Sequence, residues 1–178
     1  LELLRHAVFC TTTSASMAAA LQSVSNGPPP VVITNSFPLQ PCPANRIPAQ
    51  TPSLLWFSQT IGPGRGLEQF IDAWSSSHTK SRLCLLGNVD QAYRAHLVQR
   101  AASHRRDAIE YLPIVPPWEL PAVIARHDVG LALEAVSPRS RDLTITNKIL
   151  QYLNAGLPII ATRTAGQSVV LSRAPDAG

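Results

Sequence analysis

From residue 54 onward the chain alternates short runs suited to strands with amphipathic runs suited to helices, and nothing else constrains its fold as strongly. "LLWFSQT" reads as a strand and "GPGRG" as a glycine turn. "LEQFIDAWSSS" follows as a helix carrying Leu67, Phe70, Ile71 and Trp74 on one side. "RLCLLG" is the next strand, expected to end at Gly87, and "DQAYRAHLVQRAAS" the next helix. "AIEYLPIV" supplies a strand, "PPWELPAVIARH" a short helix with proline in its first turn, and "DVGLALE" a strand ending at Glu134. A loop over 135–146 leads to the last unit. Strands separated by helices of about 10 to 15 residues pair in parallel, so the expectation is an α/β chain with helices on both faces of one doubly wound parallel sheet.

The last unit, "NKILQYLNAGLPIIATRTAGQ" at 147–167, packs a helix, a Gly-Leu-Pro turn, a strand and a second glycine turn into little space. Ile149, Leu150, Leu153 and Ala155 form a broad apolar face, whereas Lys148, Gln151 and Asn154 fall elsewhere. Gly156 stops the helix where a left-handed backbone suits glycine, Pro158 prevents its resumption, and 158–162 reads as a buried strand.

Upstream the pattern is sparser. "HAVFCTTT" leads into an alanine-rich helix with Ser14 as N-cap, and "PVVITN" forms a further strand. Residues 36–52 carry five prolines with almost no periodicity and read as a linker. The organisation expected is therefore the end of one domain over 1–35, a linker over 36–53 and a second domain over 54–178 that is incomplete at its C-terminus. Because the chain opens on Leu1 and stops soon after a helix start, it reads as a fragment; the apolar run "AVF" is too short for the core of a signal peptide.

Composition narrows the class. With 45% hydrophobic and 15% charged residues the chain can bury a core, and no apolar run approaches the length of a membrane span. The net charge of +4 is scattered, densest at "SHRR" over 103–106, and reads as solvated surface rather than a nucleic-acid stripe, while leaving room for a small anionic ligand. Cys10, Cys42 and Cys84 are odd in number and lack metal-ligand spacing, so reduced thiols in an intracellular setting are expected.

In an open parallel sheet the ligand crevice lies beyond the carboxyl ends of the strands, and three stretches point there. In "SQTIGPGRG" the glycines let backbone approach a ligand and Arg65 could fork onto a phosphate, or the stretch is a tight turn with an exposed arginine; it is neither G-x-G-x-x-G nor a P-loop. In "TITNKIL", Lys148 has the wrong sign for a helix N-terminus unless an anion sits nearby, the alternative being a tolerated surface lysine. Glu134 could bind ligand hydroxyls or pair with Arg139 or Arg141. His104 and His127 read as surface or boundary residues, and no catalytic histidine arrangement is visible.

The order of these features, over about residues 30–171, resembles the retaining nucleotide-sugar glycosyltransferases of GT-B architecture, in particular the large family 4. "GPGRGLEQFIDAW", "LLGN", "YLPIVPPWELPAVIARHDVGLAL" and above all "NKILQYLNAGLPIIATRTAGQ" carry the resemblance, and the first 35 residues look like the end of that family's N-terminal domain. The resemblance implies a Rossmann-like C-terminal domain that binds the nucleoside diphosphate of a UDP- or GDP-sugar for retaining hexosyl transfer. It implies a diphosphate site of Gly64, Arg65, Gly66, Asn147 and Lys148, and no metal or other cofactor. Where the family holds the donor ribose and sugar with glutamates, this chain has Gln151 and Leu143, so Glu134, Asp142 and Gln151 become the candidates for those contacts. The acceptor and the catalytic residues belong to the family's N-terminal domain. The resemblance thus implies a cytoplasmic enzyme, open to peripheral membrane association, of which this fragment binds donor without transferring sugar. The rival readings are a GT-B nucleotide-sugar epimerase and a non-catalytic nucleotide-binding or regulatory module on the same sheet.

Overall fold

A computed structural model of the protein describes residues 2–40 and 49–177. Its first part is small. A short helix, α1 (Glu2–Arg5), precedes β1 (Thr11–Thr12), α2 (Ala15–Val24) and β2 (Val31–Val32), and the two strands pair in parallel. The strands expected here are thus only two residues long. Ser14 does cap α2, its hydroxyl accepting from the Met17 amide at 3.1 Å. Part of the expected linker, 41–48, lies outside the described residues, as does Cys42.

The second part begins with β3 (Ser53–Ile61) and α3 (Leu67–Ser75), then β4 (Arg82–Val89), α4 (Gln91–Arg100) and a 3-10 turn (Ser103–Ala108). It continues through β5 (Ile109–Leu112), α5 (Leu120–Ile124), β6 (Val129–Ala132), α6 (Arg139–Leu143), α7 (Asn147–Asn154), β7 (Ile159–Ala161) and α8 (Ala165–Leu171). The five long-range strands form one parallel sheet in the order β5-β4-β3-β6-β7. From β3 the chain steps outward through β4 and β5, then returns to the other side of β3 for β6 and β7. The direction of winding therefore reverses between β3 and β6, and loops leaving those two strands diverge to open a crevice.

Alternation along the strands builds two cores. Leu54, Trp56, Leu83, Leu85 and Leu131 pack with Leu67, Ile71 and Trp74 of α3 and Leu97 of α4 on one face. Leu55, Phe57, Cys84, Leu86 and Ala132 pack with Ile124 of α5 and Ile149 and Tyr152 of α7 on the other. A central strand buried on both faces must be apolar without interruption, which is why "LLWF" carries no polar residue.

Several local expectations need correction. β4 runs on through Gly87 to Val89, and β6 stops at Ala132, so Glu134 sits in the loop beyond the strand. The loop over 135–146 contains α6. On α7 the fully buried residues are Ile149 and Tyr152, while Leu150 and Leu153 are half-buried and Lys148, expected off the apolar face, is buried. The cause is on the sheet. Gly130 of β6 has no side chain, a Cβ there would collide with the Tyr152 ring, and α7 settles with that ring against the strand. The Tyr152 hydroxyl then reaches through the core to donate to the Leu55 carbonyl at 2.8 Å. Gly156 takes φ 63°, the left-handed stop expected of it. His127, placed at a boundary by sequence, is buried, with Nδ1 2.9 Å from the Val123 carbonyl. Cys10 and Cys84 are free thiols. No helix among the described residues is long and apolar enough to cross a membrane.

Candidate functional site

The crevice at the carboxyl ends of β3 and β6 is a cavity of about 780 Å³, and Gln59, Arg65, Glu134, Thr146, Asn147 and Lys148 line it. The three stretches singled out by sequence therefore converge on one place. Each is held there by a different local device.

Gly64 and Gly66 have φ of 72° and 80°, a backbone that L side chains rarely adopt, and Gly66 is the N-cap of α3 with no side-chain cap. The turn they make leaves Arg65 half-buried at the cavity wall, with no hydrogen bond or ion pair to it among the described residues.

Glu134 is 6% exposed and pairs with Arg141, one of the two arginines named as partners by sequence. Its Oε1 accepts from Arg141 Nη1 at 2.7 Å and from the Ala135 amide at 3.1 Å. Arg141 Nη1 also donates to the Gly64 carbonyl at 3.2 Å, so one guanidinium ties the loop after β6 to the turn after β3. The Glu134 amide is fixed in turn by the Thr162 hydroxyl at 2.9 Å.

Lys148 is 8% exposed, and its Nζ stands 5.1 Å from the centroid of the Trp56 ring. Among the described residues no acceptor meets its ammonium. Burial lowers its pKa to about 8; the Glu134 carboxylate opposes that shift, and Arg65 and Arg141 reinforce it. A buried cation held only against an aromatic face is an expensive arrangement in the absence of an anion. Beside it, α7 starts at Thr146 with no side-chain cap, so its first amides are open to a ligand. Asn147 is exposed and its Oδ1 accepts from Asn35 Nδ2 at 2.7 Å, which brings the first part of the chain to the rim.

Other candidates lie elsewhere. The Asp142 carboxylate accepts from the Ala165 amide at 2.9 Å, at the start of α8, and does not line the cavity. Gln151 is half-buried and does not line it either, and Leu143 is buried. Within "SQTIGPGRG" the sequence reading assigned no role to Ser58, Gln59 and Thr60, whose side of the cavity is built by a register irregularity between Phe57 and Thr60. The signal was the switch from apolar to polar within β3. It also missed the apolar wall of Ile114, Val115 and Pro117 from the loop after β5. Among the described residues no group of His, Cys, Asp or Glu is placed to hold a metal ion. The geometry offers two cations without acceptors, open helix amides and one apolar wall, which suits an anionic ligand carrying a flat or apolar part.

Solved structures share this fold. A point mutant of S. aureus TarM in complex with fondaparinux, alpha-GlcNAc-glycerol and UDP superposes with a TM-score of 0.71 at 8% identity, over 94% of this chain and 32% of that one. A second TarM structure gives 0.62 at 8% identity, over 92% and 32%. AviGT4, a glycosyltransferase involved in avilamycin A biosynthesis, gives 0.61 at 17% identity, over 95% and 48%. This chain thus spans from about a third to about half the length of those proteins. The fold is that of GT-B glycosyltransferases. No curated protein matches the sequence. Residues 51–175, which hold the whole five-stranded sheet and the cavity residues of β3, α3, β6 and α7, match the family described as glycosyl transferases group 1, and the chain belongs to that family.

Proposed function

We propose that the cavity binds the nucleoside diphosphate of an activated sugar, UDP- or GDP-linked, and that the chain is the donor-binding part of a retaining, family 4 glycosyltransferase. The observation that carries this reading is the convergence of Arg65 and Lys148, both without an acceptor among the described residues, on one cavity at the open start of α7. Breaking a sugar-phosphate bond develops negative charge on the leaving diphosphate. Two fixed cations and oriented amides stabilise that charge most in the transition state, which makes them catalytic as well as binding groups. The apolar wall from the loop after β5 provides a surface for the base. Of the three residues expected at ribose and sugar, Glu134 alone faces the cavity, and its Oε2 is the oxygen left for a ligand hydroxyl.

Calorimetry with the diphosphate and the free nucleoside tests the reading. Arg65→Ala and Lys148→Ala should each weaken the diphosphate by roughly 1.5 to 3 kcal/mol, the range of a charged hydrogen bond, and leave the nucleoside nearly unchanged. Equal losses for both ligands would remove the diphosphate from this pair. A second reading, a nucleotide-binding module without catalysis, is favoured by one observation. Glu134 is paired with Arg141 through one oxygen, Asp142 is bonded at the start of α8 and Leu143 has no polar group to offer, so among these positions no unpaired carboxylate faces the sugar. Under it UDP and UDP-sugar bind with the same affinity, whereas a donor site gains affinity from the sugar.

A further inference from the structure

The basic stretch at 103–106 plays no part in the cavity described above. It forms the 3-10 turn Ser103–Ala108. Sequence reads it as solvated surface, yet Arg105 within it is 5% exposed. Its Nη2 donates to the carbonyls of Ser77 at 2.7 Å and Thr79 at 2.8 Å, and its guanidinium lies 4.9 Å from the centroid of the Trp74 ring. The Trp74 indole N–H donates to Ser81 Oγ at 2.8 Å. Those bonds pin the loop between α3 and β4 in one shape. Next to it is a second cavity, of about 480 Å³, bordered by Thr51, Ser81 and Arg82 and therefore at the amino ends of β3 and β4, the opposite edge of the sheet from the first.

His78, Lys80, Arg82, His104 and Arg105 all line this cavity, and no described residue that lines it is acidic. Arg82 is committed to Glu110 at 2.9 Å and Arg105 to the loop carbonyls. Lys80, His78 and His104 remain, with the O–H of Ser81, whose oxygen already accepts from Trp74 and whose proton can still be donated, on a rim whose backbone is already fixed. Lys80 beside two imidazoles, each of which can donate a hydrogen bond, gives an anion a concave surface of donors with no carboxylate among its described lining residues, and a fixed rim lowers the ordering cost of binding one. We propose that this second cavity binds a phosphate group, with Lys80 as its charged contact and His104 and Ser81 as hydrogen-bonding ones. The phosphate belongs to a phosphorylated small molecule or to a lipid headgroup, which share that chemistry. The site is independent of the diphosphate reading.

The test uses the whole chain and the indole N–H resonances of two tryptophans. Trp74 is bonded to Ser81 at this cavity and Trp56 lies beneath Lys148 at the other, so each reports on its own site. Inorganic phosphate titrated at constant ionic strength should move the Trp74 resonance saturably, where chloride does not. A Lys80→Ala/His104→Ala double variant, leaving buried Arg105 in place, should weaken that response roughly tenfold or more, and Lys80→Arg should retain it. Sedimentation with phosphatidylcholine vesicles, with and without phosphatidic acid, separates the sources. Retention on the acidic vesicles that the double variant loses assigns the lipid headgroup, and a phosphate response without retention assigns a free phosphorylated ligand. A Trp74 resonance that stays still, follows chloride equally, or responds unchanged in the double variant, together with no variant-sensitive retention on vesicles, overturns the proposal.

Discussion

Lys148 shows how much chemistry one residue position can hold. Its type and place at the start of a helix were readable, since a cation there opposes the helix dipole. Its burial was not, because that depends on the Trp56 ring from a strand about ninety residues upstream in sequence, whose approach no local periodicity encodes. Gln151 and Asp142 mark the same limit: the resemblance put them at the donor ribose and sugar, yet neither lines the cavity, and the Asp142 carboxylate accepts from the Ala165 amide instead. The pKa of about 8 at Lys148 has two consequences. A diphosphate beside the ammonium favours the charged form, so its binding should raise that pKa. Above pH 8, where the ligand's own phosphate ionisation near pH 6 is complete, binding should take up a proton and affinity should fall with rising pH. Calorimetry in buffers of different ionisation enthalpy measures that uptake, and Lys148→Arg, whose guanidinium stays charged, should abolish it. The same burial burdens the fold. The unfolded lysine keeps its proton up to pH 10.5 and the folded one only to about 8, so the penalty is complete below pH 8 and fades between those values. Lys148→Met should therefore raise the stability at pH 7, by up to about 3 kcal/mol, with the gain shrinking as pH climbs from 8 toward 10.5. Denaturant midpoints across that range check the sign.

The alternation from β3 to α8 was legible at the scale of elements because fully buried strands demand uninterrupted apolar runs and their helices demand one apolar stripe. What stayed hidden was the fit between elements. α7 carries Ile149, Leu150, Tyr152 and Leu153, any of which could face the sheet, and the choice falls to Tyr152 because Gly130 of β6 leaves room for its ring. A glycine inside a strand registers in sequence only as a weakness. Here it is the seat of the neighbouring helix. Gly130→Ala should overfill that contact and destabilise the chain by roughly 1 to 3 kcal/mol, with added loss of nucleotide binding because α7 also positions Lys148. Tyr152→Phe keeps the ring and deletes the hydroxyl bonded to the Leu55 carbonyl, so it should cost about 1 kcal/mol or more while leaving α7 in place. Comparing urea midpoints with UDP affinity in the two variants separates the displacement of the helix from the loss of one hydrogen bond. A Gly130→Ala protein as stable as the parent would show that the ring has room to move.

For the molecule as a whole, the cavity has one well-built wall. The five-stranded sheet and its helices supply the cations, the helix amides and the apolar loop, while the first part of the chain contributes only its rim through Thr13 and Asn35. Among the described residues that first part is tied on by few hydrogen bonds: Ser14 Oγ to the Leu143 carbonyl at 3.0 Å, Asn35 to Asn147 at 2.7 Å, Asn154 Nδ2 to the Pro38 carbonyl at 2.9 Å and the Gln40 amide to Asn154 Oδ1 at 3.2 Å. Val31, Val32 and Ile33 on and beside β2 are exposed at 57%, 41% and 61%, so the two-stranded sheet has little of its own to bury. The similar solved proteins are two to three times as long as the stretch this chain matches. Transfer of a sugar needs an acceptor held within reach of the donor carbon and shielded from water, since most of the rate comes from positioning and from electrostatics in a closed site. Residues 1–178 should therefore bind UDP or GDP and yet give no sustained transfer to any acceptor and only slow hydrolysis of the UDP- or GDP-sugar. Joining them to the part of a similar glycosyltransferase that this chain does not match should give turnover without changing the Arg65 and Lys148 dependence of nucleotide affinity. Release of UDP or GDP from the corresponding sugar nucleotide, followed by a coupled assay with and without candidate acceptors, measures both. Sustained acceptor-dependent release by residues 1–178 alone would mean that the open side of the cavity already holds an acceptor, and the division of labour argued here would fall.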